Sequence, residues 1–198
     1  MENIIQRIET YQKLSPQAMQ AFQDEMKLLK IPKNTTLVTS GLVDNNVYFI
    51  EEGVTRSIFH KDDLSTTTWF SMEGDITFGM YSLYHNQPSV ESVETLTDCT
   101  LYVIPIERLN HLYNTYIDIA NWGRILHQDV NRLMSHIFVE RLQMSPAERY
   151  HCFLKHFPGL TNRIKLKYIA EFLGMSIYTL SRIRANKETK IVATQYAD

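Results

Sequence analysis

The residues with the clearest capacity for chemistry stand at 166–184, LKYIAEFLGMSIYTLSRIR. Counting Leu166 as position one, small Ala170 falls at five and Gly174 at nine, while Ile169, Leu173, Met175, Leu180 and Ile183 fill four, eight, ten, fifteen and eighteen. Two short helices joined at Gly174 satisfy this spacing. Ala170 leaves room for the second helix to cross, Gly174 takes a positive φ at little cost, and the apolar positions lock the pair. Ser176 is then an N-cap, and the helix it opens points backbone N–H groups and a partial positive charge outward, where a phosphate can use them. Facing away from the lock are Ser176, Ile177, Tyr178, Ser181, Arg182 and Ala185. Arg182 is the long donor of the set and suits a bidentate bond to guanine, Thr179 at the edge suits a phosphate, and Ile177 and Tyr178 suit a thymine methyl or the sugar–phosphate wall. The chemistry is recognition of nucleic acid with few direct hydrogen bonds and help from DNA shape. An α-hairpin inside a helical bundle satisfies the same pattern.

Charge adds to this. The net charge is -2, yet residues 1–140 hold 10 Lys and Arg against 18 Asp and Glu, while residues 141–198 hold 10 against 4, so the front carries -8 and the back +6. Such asymmetry points to a polyanionic partner for the basic end, or to a solvated basic surface with none. Around the helix pair, Arg163, Lys165, Lys167, Arg182, Arg184, Lys187 and Lys190 outnumber Glu171 and Glu188. Lys167 and Lys187 are candidate phosphate contacts, because cations flanking a helix pair supply most nucleic-acid affinity.

Other chemistries find little support. Cys99 and Cys152 are the only cysteines, far apart, so neither a disulfide framework nor a zinc or iron–sulfur site is expected. The seven histidines show no spacing that singles out a haem ligand, and lone histidines are commonly surface or satisfied core residues. No GxSxG, P-loop, HExxH or paired-carboxylate pattern occurs, so catalysis is not expected. There is no apolar run of about 18 residues and no signal-peptide layout, which predicts a cytoplasmic protein without a membrane partner.

The elements that must position the helix pair are legible as periodicities. Ile4, Ile5, Ile8 and Tyr11, then Met19, Phe22, Met26 and Leu29 after Ser15-Pro16, predict two short helices within residues 1–30. Short β-type runs follow at 35–39, 46–50, 54–59, 65–70, 90–96 and 100–104, punctuated by Gly41, Gly53, Asp62-Asp63, Gly74-Asp75 and Asn86-Gln87-Pro88. This predicts a small antiparallel barrel or sandwich. A long helix is predicted over 118–144, where Ile119, Trp122, Leu126, Val130, Leu133 and Ile137 step by 3, 4, 4, 3 and 4. It is too long for so small a barrel to cover, so Trp122, Leu126, Val130, Leu133 and Ile137 are expected on a two-stranded seam with a second copy. Ser145-Pro146-Ala147-Glu148 is a capping box that starts another helix. The expected division is 1–116, 117–143 and 144–198.

This order of helix pair, small barrel, long helix and terminal helix-turn-helix resembles the Crp/Fnr family of bacterial transcription regulators over nearly the whole chain. Its more specific pieces are VYFIEEGV at 47–54, WFSMEGD at 69–75, and residues 165–187. The Gln87-Pro88-Ser89 turn and the short tail resemble members common in the Bacteroidetes. The resemblance implies an α+β fold: an N-terminal antiparallel β-barrel of the cyclic-nucleotide-binding type (a double-stranded β-helix), a long dimerisation helix and a winged-helix-like helix-turn-helix domain. It implies a homodimer on a palindromic site in double-stranded DNA, with the second helix in the major groove, and RNA polymerase as a further partner. Arg182 matches the family's base-reading arginine, and Ser176 and Thr179 its phosphate-contacting positions. The usual Arg-Glu pair is replaced by Ile177-Tyr178, so the family's usual target does not carry over. In the sensor, the ribose-binding glutamate position falls on Gly79 and the phosphate-binding arginine position on Ser89. With Met80 and Val90 these form the candidate effector segment. Ser89 is a weaker answer to a cyclic phosphate than a buried arginine, so cyclic AMP is not expected to bind in the familiar way, no cofactor is expected, and the effector stays unassigned. The competing expectation is a ligand-sensing barrel whose helical tail binds protein rather than DNA.

Overall fold

The computed structural model describes residues 1–62 and 64–186. The chain divides into two compact units, one ending at Val130 and the other starting at Asn131.

The first unit opens with α1 (Glu2–Tyr11) and α2 (Pro16–Glu25), the latter capped by the Ser15 side chain, which accepts from the Ala18 N–H. Eight strands follow: β1 (Lys27–Ile31), β2 (Thr36–Val38), β3 (Asn46–Glu52), β4 (Thr55–Lys61), β5 (Leu64–Ser71), β6 (Ile76–Phe78), β7 (Glu91–Thr95) and β8 (Cys99–Pro105). A short helix, α3 (Met80–His85), interrupts them, and α4 (Ile106–Thr115) and the start of α5 (Ile117–Gln143) close the unit. All strand pairings are antiparallel, in two four-stranded sheets ordered β1-β8-β3-β6 and β2-β7-β4-β5.

Two expectations need correction here. The strands form two sheets and do not close into a barrel: β2 and β6 are three residues each, ladders too short to bridge one sheet to the other. Residues 27–31, expected to finish a helix, are a strand in register with β8, Leu29 opposite Leu101. Lys-Leu-Leu-Lys-Ile fits a period of two as well as one of 3.6, and sheet pairing decides.

The core lies where α1, α2, α4 and α5 meet β3 and β8: Ile4, Ile8, Phe22, Val47, Phe49, Ile104, Leu109, Leu112, Ile119, Trp122 and Leu126 are all buried. Phe22 meets Phe49 edge-on at 5.5 Å and Trp122 at 5.3 Å, while Phe49 stacks on Trp122 at 6.2 Å. This overturns part of the expected seam. Trp122 and Leu126 are 3% and 7% exposed, their surfaces already spent within their own unit. Val130 is half-buried against the same core. At the β3–β4 turn Gly53 takes φ 116°, and a Cβ there would lie 2.5 Å from the Cys99 Sγ, so the turn closes tightly over that thiol.

The second unit holds the rest of α5, then α6 (Pro146–His156), a 3₁₀ turn (Leu160–Asn162), α7 (Leu166–Leu173) and α8 (Ile177–Ala185). Among the described residues no helix is long and apolar enough to cross a membrane. On α5 here, Leu133 and Ile137 are half-buried, whereas Met134, Phe138 and Leu142, four residues apart on one face, are 46%, 63% and 70% exposed.

Trp122→Ala is expected to cost about 3–5 kcal/mol, the usual range for emptying a buried aromatic site, in urea unfolding of the full chain followed by circular dichroism. A cost below about 1 kcal/mol would return Trp122 to a surface seam.

Candidate nucleic-acid interface

The candidate interface is assembled locally. Helix α7 reads Leu-Lys-Tyr-Ile-Ala-Glu-Phe-Leu and buries Ile169, Ala170, Phe172 and Leu173. It stops because Gly174 adopts φ 64°, ψ 43°, the left-handed conformation a residue with a Cβ enters only at a cost. The Gly174 N–H donates to the Glu171 carbonyl at 3.1 Å and the Met175 N–H to the Ala170 carbonyl at 3.0 Å. This six-to-one and five-to-two pair closes the last turn as a Schellman motif. Two residues on, Ser176 is extended, and its Oγ accepts the Thr179 N–H at 3.0 Å to start α8. Ser176 Oγ also lies 2.9 Å from Thr179 Oγ1.

Leu180, fully buried, anchors α8 among its neighbours, and the same unit holds an aromatic cluster. Phe153, on α6, lies 5.2 Å from Phe157 and 5.7 Å from Phe172, and Phe157 meets Phe172 edge-on at 5.5 Å. The Ser145–Glu148 capping box starts α6 as expected: Ser145 Oγ accepts the Glu148 N–H and Glu148 Oε2 accepts the Ser145 N–H at 2.8 Å.

With Leu180 turned inward, α8 presents Ile177, Tyr178, Ser181, Arg182 and Ala185 to solvent, with Tyr178 85% exposed. The expected face is therefore brought together. Thr179 sits half-buried at its edge beside Ser176. Lys167 is exposed on α7 and lies 3.8 Å from Glu171. A surface pair of this kind is worth well under about 1 kcal/mol, so it holds its lysine only weakly. Lys187 and the winged part of the expected fold fall outside the described residues.

Sequence reasoning missed the polar ties below this face. The Arg141 guanidinium donates to the Phe172 carbonyl and lies over the Phe172 ring at 6.0 Å, and burial lowers its pKa. Arg149 Nη1 donates to the Met144 carbonyl at 3.1 Å. His156 Nε2 pairs with Glu140 Oε1 at 2.9 Å. The end of α5 is thus fastened to α6 and α7. Arg141 in the last turn of a long helix was the available signal, since cations favour helix C-termini and bind their last carbonyls.

The candidate effector residues lie in the first unit, around α3. Gly79 precedes it and Met80 begins it. A Cβ on Gly79 would come within 3.1 Å of Ser89 Oγ, so these two are neighbours. Ser89 is buried, and its backbone is pinned to the 41–42 turn, accepting from the Gly41 N–H at 2.8 Å and donating to the Leu42 carbonyl at 2.9 Å. Met80 and Val90 turn their side chains to solvent. Two charged residues here went unforeseen. Glu91 is buried and accepts the Met80 N–H at 2.6 Å. Arg56 is buried on β4, its Nε on Glu94 at 2.6 Å and its Nη1 on Thr67 Oγ1 at 2.8 Å. The β7 alternation, with Glu91 in the inward row of Val93 and Thr95, was the signal for the first. Among the described residues no cluster of three His, Cys, Asp or Glu is placed to hold a metal.

Residues 28–116 match the family described as cyclic nucleotide-binding domain. No curated protein sequence matches the chain. Among solved structures, FixK2 from Bradyrhizobium japonicum superposes with a TM-score of 0.71 at 16% identity, covering 83% of this chain and 85% of that one. CLP, a c-di-GMP responsive global regulator from Xanthomonas campestris, gives 0.64 at 18% identity over 91% and 93%. A CooA mutant from Carboxydothermus hydrogenoformans gives 0.69 at 16% identity over 90% and 87%. At these identities the likeness is one of fold.

Gly174→Ala is expected to cost about 1–2 kcal/mol through its left-handed backbone, read as a lower urea midpoint for the second unit. An unchanged midpoint would mean that the turn does not need a glycine.

Proposed function

For a chain with a cyclic nucleotide-binding domain over residues 28–116 and the fold of the Crp/Fnr regulators, we propose a sequence-specific DNA-binding transcription regulator. The observation that carries the proposal is the exposed face of α8. An N-terminus capped by Ser176 and an outward row of Ile177, Tyr178, Ser181 and Arg182 stand on a helix pair turned at Gly174. Helix α8 enters the major groove, Arg182 reads a base edge, and Ser176, Thr179 and Lys167 hold phosphates. The exposed apolar pair Ile177-Tyr178 makes thymine methyls and the sugar wall a larger share of the contact than hydrogen bonds.

The regulator acts as a homodimer on a palindromic site. What supports this is the apolar row Met134, Phe138 and Leu142, exposed on α5 among the described residues. The seam thus moves from Trp122 and Leu126 towards the end of the helix. Through that seam two recognition helices reach half-sites about one helical turn apart.

A cyclic nucleotide fits the sensor segment poorly. Its phosphate needs donors, and the Met80 N–H is engaged by Glu91 while Arg56 is engaged by Glu94 and Thr67. Cyclic AMP is therefore not the effector. A second reading, in which α8 docks on a protein, draws on the 85% exposure of Tyr178. Salt separates the two, since DNA binding weakens steeply with ionic strength and an apolar protein contact does not.

Selection from a random DNA pool is expected to return a palindrome, and recovery of unrelated fragments would remove the DNA reading. On the selected site Arg182→Ala should weaken binding by about 1–3 kcal/mol and far less on random DNA. Equal loss on both would reduce Arg182 to a phosphate contact. Phe138→Asp with Leu142→Asp should give folded monomers in light scattering, and an intact dimer would place the seam elsewhere.

A further inference from the structure

We infer that Glu91 is an internal ligand of the sensor segment: its carboxylate takes the backbone donor that a bound anion would use, so the first unit needs no anionic effector, and removing that charge opens an anion site. The inference rests on reading residues 79–90 as the effector segment and goes beyond the claim that cyclic AMP does not bind.

A carboxylate belongs badly where Glu91 sits. It begins β7 in the inward row with Val93 and Thr95 and is 8% exposed, a position that penalises charge unless donors compensate. Among the described residues no cation pairs with it. Its compensation is the Met80 N–H, at 2.6 Å, a short bond to a charged acceptor. Met80 is the first residue of α3, and the early N–H groups of a helix have no acceptor within it. Glu91 therefore satisfies a donor that would otherwise attract an anion from outside.

A second observation marks the same spot. Ser89 is 2% exposed and its Oγ has no hydrogen-bond partner. It lies beside Gly79, where a Cβ would meet Ser89 Oγ and Val38 Cγ1 at 3.1 Å and Ser82 Oγ at 3.3 Å. Ser82 Oγ is itself occupied, donating to the Gln87 carbonyl at 3.0 Å and accepting from the Asp44 N–H at 3.1 Å. One buried hydroxyl is thus unspent next to a donor held by a fixed negative charge. Ser89 and Glu91 lie two residues apart and are both buried, so an anion brought to Ser89 meets the Glu91 charge. With that charge gone, the Met80 N–H and the Ser89 hydroxyl converge on one small anionic group, and the segment binds what it now excludes.

Calorimetric titration of the full chain with cyclic AMP, and separately with inorganic phosphate, tests this in the wild type, Glu91→Ala and Glu91→Gln. The wild type is expected to give no saturable heat at millimolar concentrations. Glu91→Ala should bind cyclic AMP at least tenfold more tightly, and Ser89→Ala in that background should abolish the gain. Glu91→Gln keeps an acceptor for Met80 and loses the charge, so it preserves the fold if Glu91→Ala does not and should show a smaller gain of the same sign. Phosphate alone reproducing the gain assigns the site to the anionic group rather than the base. The inference falls if the wild type binds as tightly as the variants, if neither variant gains affinity, or if the gain survives Ser89→Ala. In parallel, wild-type binding to the selected DNA should be unchanged by millimolar cyclic AMP. Loss of all DNA binding would sink the regulator reading and leave the calorimetric result standing, whereas intact DNA binding without a gain in the variants would sink this inference alone.

Discussion

The first unit depends on the burial of one indole. Trp122 lies against Phe22 and Phe49, and through those rings three distant parts of the sequence, the N-terminal helices, a central strand and the long helix, share one apolar interior. Aromatic pairs in such offset and edge-on arrangements add about 0.5–1.5 kcal/mol each beyond their buried area. The start of α5 is therefore a core helix, and its apolar stripe has two employers in succession. As far as Val130 it packs on the core of its own unit, whereas Met134, Phe138 and Leu142 face outward.

The second unit solves a different problem, that of holding a short helix still while one face stays free. At nine residues α8 is too short to be stable alone in water, where about 12–15 residues are marginal. Its stability is borrowed from a serine cap at one end, a left-handed glycine turn before it and the burial of Leu180 in a unit whose core holds the triangle of Phe153, Phe157 and Phe172. The Arg141 bond to the Phe172 carbonyl adds a fixed cation beneath the turn. Because these supports lie on the inner side, the outer face is at liberty to carry residues chosen for recognition.

How much of this was readable in the sequence follows from how local each feature is. The Ser145–Glu148 box, the Ser176 cap and the Gly174 turn are set by residues within a few positions of one another, and each appears where the sequence places it. Strand β1 was lost because its pattern satisfies two periods, and only pairing with β8, some seventy residues away in sequence, chooses between them. Trp122 was misplaced for a related reason: a stripe gives the face of a helix but not what covers it. The inward side of β7 and the side chain that completes α3 are tertiary facts, so Glu91 passed as one more acidic residue. The exposed row of α8, by contrast, was legible in full as far as Asn186, since it is the remainder left when the locking positions are removed.

The closed turn at Gly53 has a chemical consequence of its own. Cys99 lies under it, its Sγ 3.4 Å from the Thr97 carbonyl, while burial, with Glu140 adding to it, raises the pKa of the half-buried Cys152 thiol. Cys152 is therefore held away from the thiolate, the form that oxidants and alkylating reagents attack, and Cys99 is shielded by its burial. A reagent reaches Cys99 only when the β3–β4 hairpin opens, so the rate at which that sulfur is labelled is a clock for local unfolding of the two sheets.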